Sequence, residues 1–260
     1  MPNSAPTLEL LRNQFDHRSA NYDQIYRCAE VTSLWHHEKH RRADWTIDWL
    51  ARQGCLPSQS SILDAGCGDG FVTCRIAKLE NVSHVLGVDL SQKMIESAKR
   101  RRDATQVNHS VAFQDGQVES VTGCWNAIVT LGVLGYQPQP LEYARNLAQR
   151  LAPGGWLIVS CGNPWSILRQ LRSVGRSLQF SWTRKYPQAF KSTSLKQLDR
   201  VLKKQNCNRS ACRSMSYGIG SKYVGHNVEN SRRLEDRDMA RNRRSVWLAQ
   251  SYWIVYQKQN

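Results

Sequence analysis

Between residues 60 and 162, short aliphatic runs alternate with helical patterns. The runs fall at 61–64, 84–88, 109–114, 125–131 and 156–161, and the helical patterns at 71–79, 91–102 and 140–151. That alternation predicts parallel strands joined by right-handed crossovers. Ser91 is placed to cap the second helix. The cations from Lys99 to Arg102 suit its C-terminal dipole, so no binding site is read there. Upstream, residues 7–54 form a helical segment whose core-facing side holds Trp45, Trp49 and Leu50, and Gly54 followed by Pro57 ends it. Downstream, the pattern predicts a helix over Ser194–Gln205 and a strand over 208–217. A loop-rich basic stretch with Arg232, Arg233, Arg237, Arg241, Arg243 and Arg244 follows, then a closing strand from Ser251 to Tyr256.

The stretch Ile62-Leu63-Asp64-Ala65-Gly66-Cys67-Gly68-Asp69-Gly70-Phe71 carries the chemistry. It reads as a buried strand ending in an acid, a glycine turn and a helix start. Glycines at alternate positions permit unusual backbone angles and let a ligand lie on the backbone. The spacing differs from G-x-G-x-x-G, which brings a pyrophosphate to a helix N-terminus. Asp64 at the strand tip repels phosphate and attracts a cation. A ligand with a positively charged amino-acid end fits, and S-adenosylmethionine is one.

From Asp64 to Gly70 the chain resembles the first motif of the class I S-adenosylmethionine-dependent methyltransferases. The family's further motifs follow in order. Val85-Leu86-Gly87-Val88-Asp89-Leu90 is a second strand ending in an acid, where a carboxylate accepts both ribose hydroxyls of an adenosine. Met94 matches a residue that touches the adenine, and Asp115-Gly116-Gln117 an acid-bearing turn beside the adenine amino group. Thr130-Leu131-Gly132 is the fourth strand tip facing the cofactor, and Leu151-Ala152-Pro153-Gly154-Gly155 the turn before strand five. The resemblance implies cofactor contacts at Asp64, Ala65, Gly66, Gly68, Asp89, Leu90, Met94, Asp115, Gly116, Gln117, Thr130, Leu131 and Gly132. Phe15 to Asp23 resembles the opening of the ubiquinone/menaquinone-type branch, which implies Tyr22 at the methionine end. Alternatively, Tyr22 anchors its helix. Asn126 departs from the Phe-Asp usual in relatives.

The implied fold is α/β and Rossmann-like, a seven-stranded, mostly parallel sheet of order 3-2-1-4-5-7-6 with helices on both faces. An N-terminal helical lid occupies 1–56. The methyltransferase domain occupies 57–260, with a cap insertion at about 163–191. There Trp165, Phe180, Trp182, Tyr186 and Phe190 mix with Arg169, Arg172, Arg176, Arg184 and Lys185. Such a mixture holds an aromatic or lipid substrate, stacks on bases, lies on a membrane, or forms the core of a helical cap.

Length (260 residues) and 40% hydrophobic content suit one domain, or one with a cap. The net charge of +15 is uneven. Residues 1–160 hold 16 Lys/Arg and 16 Asp/Glu, whereas residues 161–260 hold 20 against 5. That field attracts anionic partners or serves as a solubilising surface. The sequence lacks a secretory pattern and any apolar run near the ~20 residues of a membrane span, so the expectation is a cytoplasmic protein. Eight cysteines without a C-x-x-C pair read as small buried thiols in a reducing compartment. His36-His37-Glu38-Lys39-His40 does not match H-E-x-x-H and reads as a solvated helix face, so no metal is expected.

These readings converge on an enzyme that moves the sulfonium methyl of S-adenosylmethionine to a small-molecule or lipid-like acceptor of quinone or natural-product type. Two alternatives stand beside it, an RNA methyltransferase and a non-catalytic cofactor-binding subunit of a partner. The basic C-terminal third supports RNA, but neither a separate RNA-binding module nor an Asn-Pro-Pro-Tyr-type motif is present. Peripheral contact with an anionic membrane fits the same charge. Should a hydroxyl acceptor need a general base, the candidates are His36, His37, Tyr136 and His226. No catalytic residue is assigned, and the oligomeric state is open.

Overall fold

Strand β1 (Ser60–Ala65) lies inside the sheet, paired in parallel with β2 (Val82–Asp89) on one side and β4 (Trp125–Thr130) on the other. β3 (Val111–Asp115) extends the sheet beyond β2, and β5 (Leu151–Gly162) beyond β4. β7 (Ser251–Lys258) runs antiparallel between β5 and β6 (Cys207–Met215). The order is therefore β3-β2-β1-β4-β5-β7-β6, as the resemblance implied. This computed structural model describes residues 8–27, 34–107, 111–167, 170, 192–217, 224–240 and 247–260, with side chains at 20–27 and 224–227 outside the described set. Most of the cap region, from 168 to 191 except 170, is also outside it.

Helices cover both faces because each strand points alternate residues to opposite sides. Leu63, Ile128, Leu157, Ile254 and Tyr256 face α5 (Pro140–Gln149) and α6 (Leu195–Lys203), where they meet Leu147, Leu198 and Leu202. Ile62, Val129, Ile158 and Trp253 face α2 (Leu34–Leu50) and α3 (Phe71–Ile76), meeting Trp45, Leu50 and Ile76. Under α2 the rings of Trp45 and Trp253 meet edge to face at 5.9 Å, and those of Trp49 and Trp156 at 5.4 Å. Such pairs add about 0.5–1.5 kcal/mol each beyond area burial. α1 (Leu8–Arg27) lies against α4 (Gln92–Thr105).

Several expectations are corrected. β5 begins at Leu151 rather than 156, because Leu151 already pairs with Trp125 before the ladder shifts at the Pro-Gly-Gly turn. The basic stretch is not loop-rich throughout: Val224–Ala240 is a helix, α7, carrying Arg232, Arg233 and Arg237, while 241–246 lie outside the described residues. The histidine run is not a solvated face either. His36, His37 and Lys39 are buried, since α7 packs on α2 and covers part of that surface. His37 Nε2 lies 3.0 Å from Glu235 Oε2, and Arg41 Nε lies 3.3 Å from the same oxygen. Glu235 Oε1 accepts from the Ser216 N–H at 3.0 Å and the Ser231 hydroxyl at 2.9 Å. Asn126 has a structural role, its Oδ1 accepting the Ser61 N–H at 2.9 Å. Among the described residues no helix is long and apolar enough to cross a membrane, and no cluster could hold a metal ion.

Candidate cofactor cleft at the strand tips

The turn after β1 is built from left-handed residues. Gly66, Gly68 and Gly70 have φ of 82°, 56° and 76°. Their surroundings differ. A Cβ on Gly66 would stand 2.2 Å from Val133 Cγ2, and one on Gly70 would meet Phe113 and Ala98. A Cβ on Gly68 would meet nothing within 4 Å. Gly66 and Gly70 thus let the turn close against the protein, and Gly68 leaves an open surface for a ligand.

Three carboxylates surround this turn. Asp64, at the tip of β1, is 3% exposed and accepts the Thr73 hydroxyl at 2.6 Å. Burial outweighs that bond and the Arg42 charge, and with the like charges of Asp89 and Asp69 pushes its carboxyl up to about 7. Asp89, at the tip of β2, accepts the N–H groups of Gly68 at 2.9 Å and Ser91 at 3.0 Å. Its carboxyl is also raised, by burial first, with those two bonds opposing. Asp69 is clamped by Arg101, whose NH2 lies 2.5 Å from Oδ2 and whose Nε donates to the Asp69 carbonyl at 3.0 Å. Arg101 therefore braces the turn, where the sequence suggested only a dipole-matched helix end. Burial pushes the Cys67 thiol up, away from thiolate reactivity.

These groups open onto a cleft that is partly open to solvent. Helix α1 lies across it, contributing Leu8, Leu11 and Phe15. Arg12 Nε donates to the Leu90 carbonyl at 3.2 Å, and Asp16 accepts the Ser91 hydroxyl at the start of α4. Phe15 meets Tyr136 edge to face at 5.1 Å. On the far wall Arg42 packs against Gly132, whose N–H donates to Ser160 Oγ at 2.7 Å.

Of the residues the sequence pointed to, Asp64, Gly66, Gly68, Asp89, Leu90, Met94, Gly116, Gln117, Leu131 and Gly132 line this cleft. Ala65 and Thr130 are fully buried and absent from its lining, since strand alternation turns them into the sheet packing. Asp115 is exposed and also outside the lining, because the chain turns at Gly116. Tyr22 lies in α1, and its side chain is outside the described set, as is that of His226. Among the base candidates Tyr136 lines the cleft, and burial pushes its hydroxyl up against the pull of Arg18 and Arg42, which makes it a poor base near neutrality. His36 and His37 do not line it.

The sequence reading passed over Leu8, Leu11, Arg42, Asp69, Glu119, Val133 and Tyr143, all of which line the cleft. For α1 a signal existed: Leu8, Leu11 and Phe15 follow the apolar helical period. Asp69 sat between two turn glycines. Arg42 had no local signal, since only the packing of α2 brings it to Gly132.

Over residues 34–209 the chain matches the family described as a methyltransferase domain. The ubiquinone biosynthesis O-methyltransferase of Xanthomonas campestris pv. campestris is 29% identical over 131 residues, covering 50% of this chain and 54% of that protein. The protein of the same name from Coxiella burnetii is 32% identical over 103 residues, covering 39% and 43%. The chain thus spans about half the length of the curated relatives it matches. In structure it is similar to the magnesium protoporphyrin IX methyltransferase of Synechocystis PCC 6803 with bound SAH. The TM-score is 0.71 at 16% identity, covering 96% of this chain and 99% of that one, a likeness of fold. With the family matched over more than half its length and the sheet order observed, the chain belongs to the class I S-adenosylmethionine-dependent methyltransferases.

Proposed function

We propose that this protein binds S-adenosylmethionine in the cleft at the strand tips and transfers its methyl group to a small-molecule or lipid-like acceptor of quinone or natural-product type. The observation that carries the reading is the pair of acids, Asp64 and Asp89, at two adjacent strand tips with the open turn at Gly68 between them. Asp64 is a buried carboxyl held near neutrality, which suits a ligand that brings an ammonium group. Asp89 spends one lone pair of each oxygen on the backbone and keeps the other for two ribose hydroxyls. Leu90, Met94, Gly116 and Gln117 form the adenine wall, and Leu131 and Gly132 face the methionine part. Ala65 and Thr130 act from behind as packing. Asp115 directs the turn into Gly116. The acceptor class is suggested by the names of similar proteins, ubiquinone biosynthesis O-methyltransferases in sequence and, as a likeness of fold, a magnesium protoporphyrin IX methyltransferase.

The cofactor, when bound, supplies a sulfonium methyl already activated for displacement. The protein's part is alignment and exclusion of water. Helix α1 serves as the lid, with Leu8, Leu11 and Phe15 drying the cleft. Transfer of label from methyl-tritiated cofactor into fractionated cell extracts tests this. Label is expected in the small-molecule and lipid fractions. Label confined to RNA would replace the acceptor class, and cofactor binding without any transfer would indicate a non-catalytic subunit.

A further inference from the structure

Just past β5 and just before β7, two short segments lean on each other. The Asn163 N–H donates to the Gln250 carbonyl at 2.9 Å, and the Ile167 N–H to the Trp247 carbonyl at 2.9 Å. Asn163 Nδ2 donates to the Ala249 carbonyl at 2.7 Å, and its Oδ1 accepts the Trp165 N–H at 3.0 Å. Asn163 and Ser166 are completely buried. The large apolar side chains do the opposite: Trp165, Ile167, Trp247 and Leu248 are 57%, 47%, 61% and 45% exposed. This knuckle is polar within and apolar without, the reverse of ordinary patterning. Scattered surface hydrophobics need no explanation, but four on one braced element do.

Its position adds to this. Gly162 pairs with Ser251 at the C-terminal end of β5, so the knuckle rises from the same rim as the cofactor cleft. Two residues earlier in β5, Ser160 holds the Gly132 N–H of the cleft. Charge decides the occupant. The whole positive excess lies in residues 161–260, and Arg241, Arg243 and Arg244 precede Trp247 by three to six residues. Three residues of chain reach at most ~11 Å. Exposed tryptophans that follow a run of cations closely in sequence match the interface of an anionic bilayer, with rings at headgroup level and positive charge drawn to the lipid phosphates.

We propose that this knuckle docks the protein on an anionic membrane surface, with Trp165 and Trp247 as the inserted anchors. The inference does not depend on the acceptor. It is tested by co-sedimentation of the full chain with mixed phosphatidylglycerol–phosphatidylcholine vesicles and with pure phosphatidylcholine vesicles. Binding is expected to the anionic vesicles, weakening as salt rises. Trp165→Ser with Trp247→Ser should lower it by roughly tenfold, and Trp165→Phe with Trp247→Phe should retain most of it. Unchanged cofactor affinity and circular dichroism in both variants establish that the fold is intact. No vesicle binding, or binding that the serine variant leaves intact, overturns the proposal. So does a concentration-dependent dimer that the serine variant abolishes, since a second copy would then cover the knuckle.

Discussion

Asp64 and Glu235 are both carboxylates withdrawn from water, at 3% and 1% exposure, yet the molecule treats them in opposite ways. Glu235 sits between α2 and α7 with its oxygens shared among His37, Arg41, Ser216 and Ser231. Asp64 has the Thr73 hydroxyl, the field of Arg42 and the repulsion of two other acids. A buried acid whose partners are all supplied by the chain is a fastener. One that burial holds near neutrality beside an open turn is ready for a partner from outside.

The largest expected effect tests the fastener. Glu235→Ala leaves His37 and the buried Ser216 N–H without their acceptor, while Arg41 keeps Asp236, and each buried polar group left unsatisfied costs about 1–3 kcal/mol. Urea unfolding should show that loss, while cofactor affinity of the remaining folded protein stays within a few-fold. A loss under about 1 kcal/mol would mean that α7 is held by other contacts.

Asp89→Ala should act mainly on the other side of the comparison. It removes the proposed ribose contacts, and charge-assisted hydrogen bonds contribute about 1.5–3 kcal/mol each. Calorimetry should record at least a ~tenfold weaker cofactor. Stability should fall less than for Glu235→Ala, because the freed Gly68 N–H borders the cleft. Unchanged affinity would remove Asp89 from the site.

Asp64→Asn is the finest test. Asp64 in the folded protein titrates near 7, and in the unfolded chain near ~3.9. Between those values only the folded state holds the proton. Its stabilising effect is therefore full below the unfolded value, declines as pH rises through the interval, and is gone above about 7. Asparagine cannot titrate, so the variant's thermal midpoint should fall less than the wild type's between about pH 5 and pH 8. Parallel profiles would show that Asp64 is not short of a partner.

The sheet and the cofactor end were legible because they are written locally. Val85 to Asp89 is a strand because its neighbours are aliphatic, and Gly66, Gly68 and Gly70 are a turn because few other residues adopt those angles. The division of labour among the three was not legible. A side chain on Gly66 would strike Val133, so its role is closure of the turn, and Gly68 is the open one; that depends on a residue 67 positions away. The histidine run misled for the same reason. His37 looks like a surface residue until Glu235, 198 positions later, packs over it. Arg42 likewise acquires its place only when α2 lies against Gly132. Local chemistry survives translation into structure, and pairings between distant segments do not announce themselves.

β7 is the last of the seven strands to leave the ribosome, yet it is held on both sides. Trp253 and Tyr256 within it are fully buried, and β6 has no other strand to join. During synthesis the five parallel strands that carry the cleft can assemble first, leaving the edge of β5 uncovered. β6, although already made, must wait for its younger neighbour. Until then an unpaired edge is presented to whatever other chains are nearby, the kind of exposure that favours association with the wrong partner. β6 is made before the one strand it joins, and it is there that a chaperone holding the nascent chain would help it most.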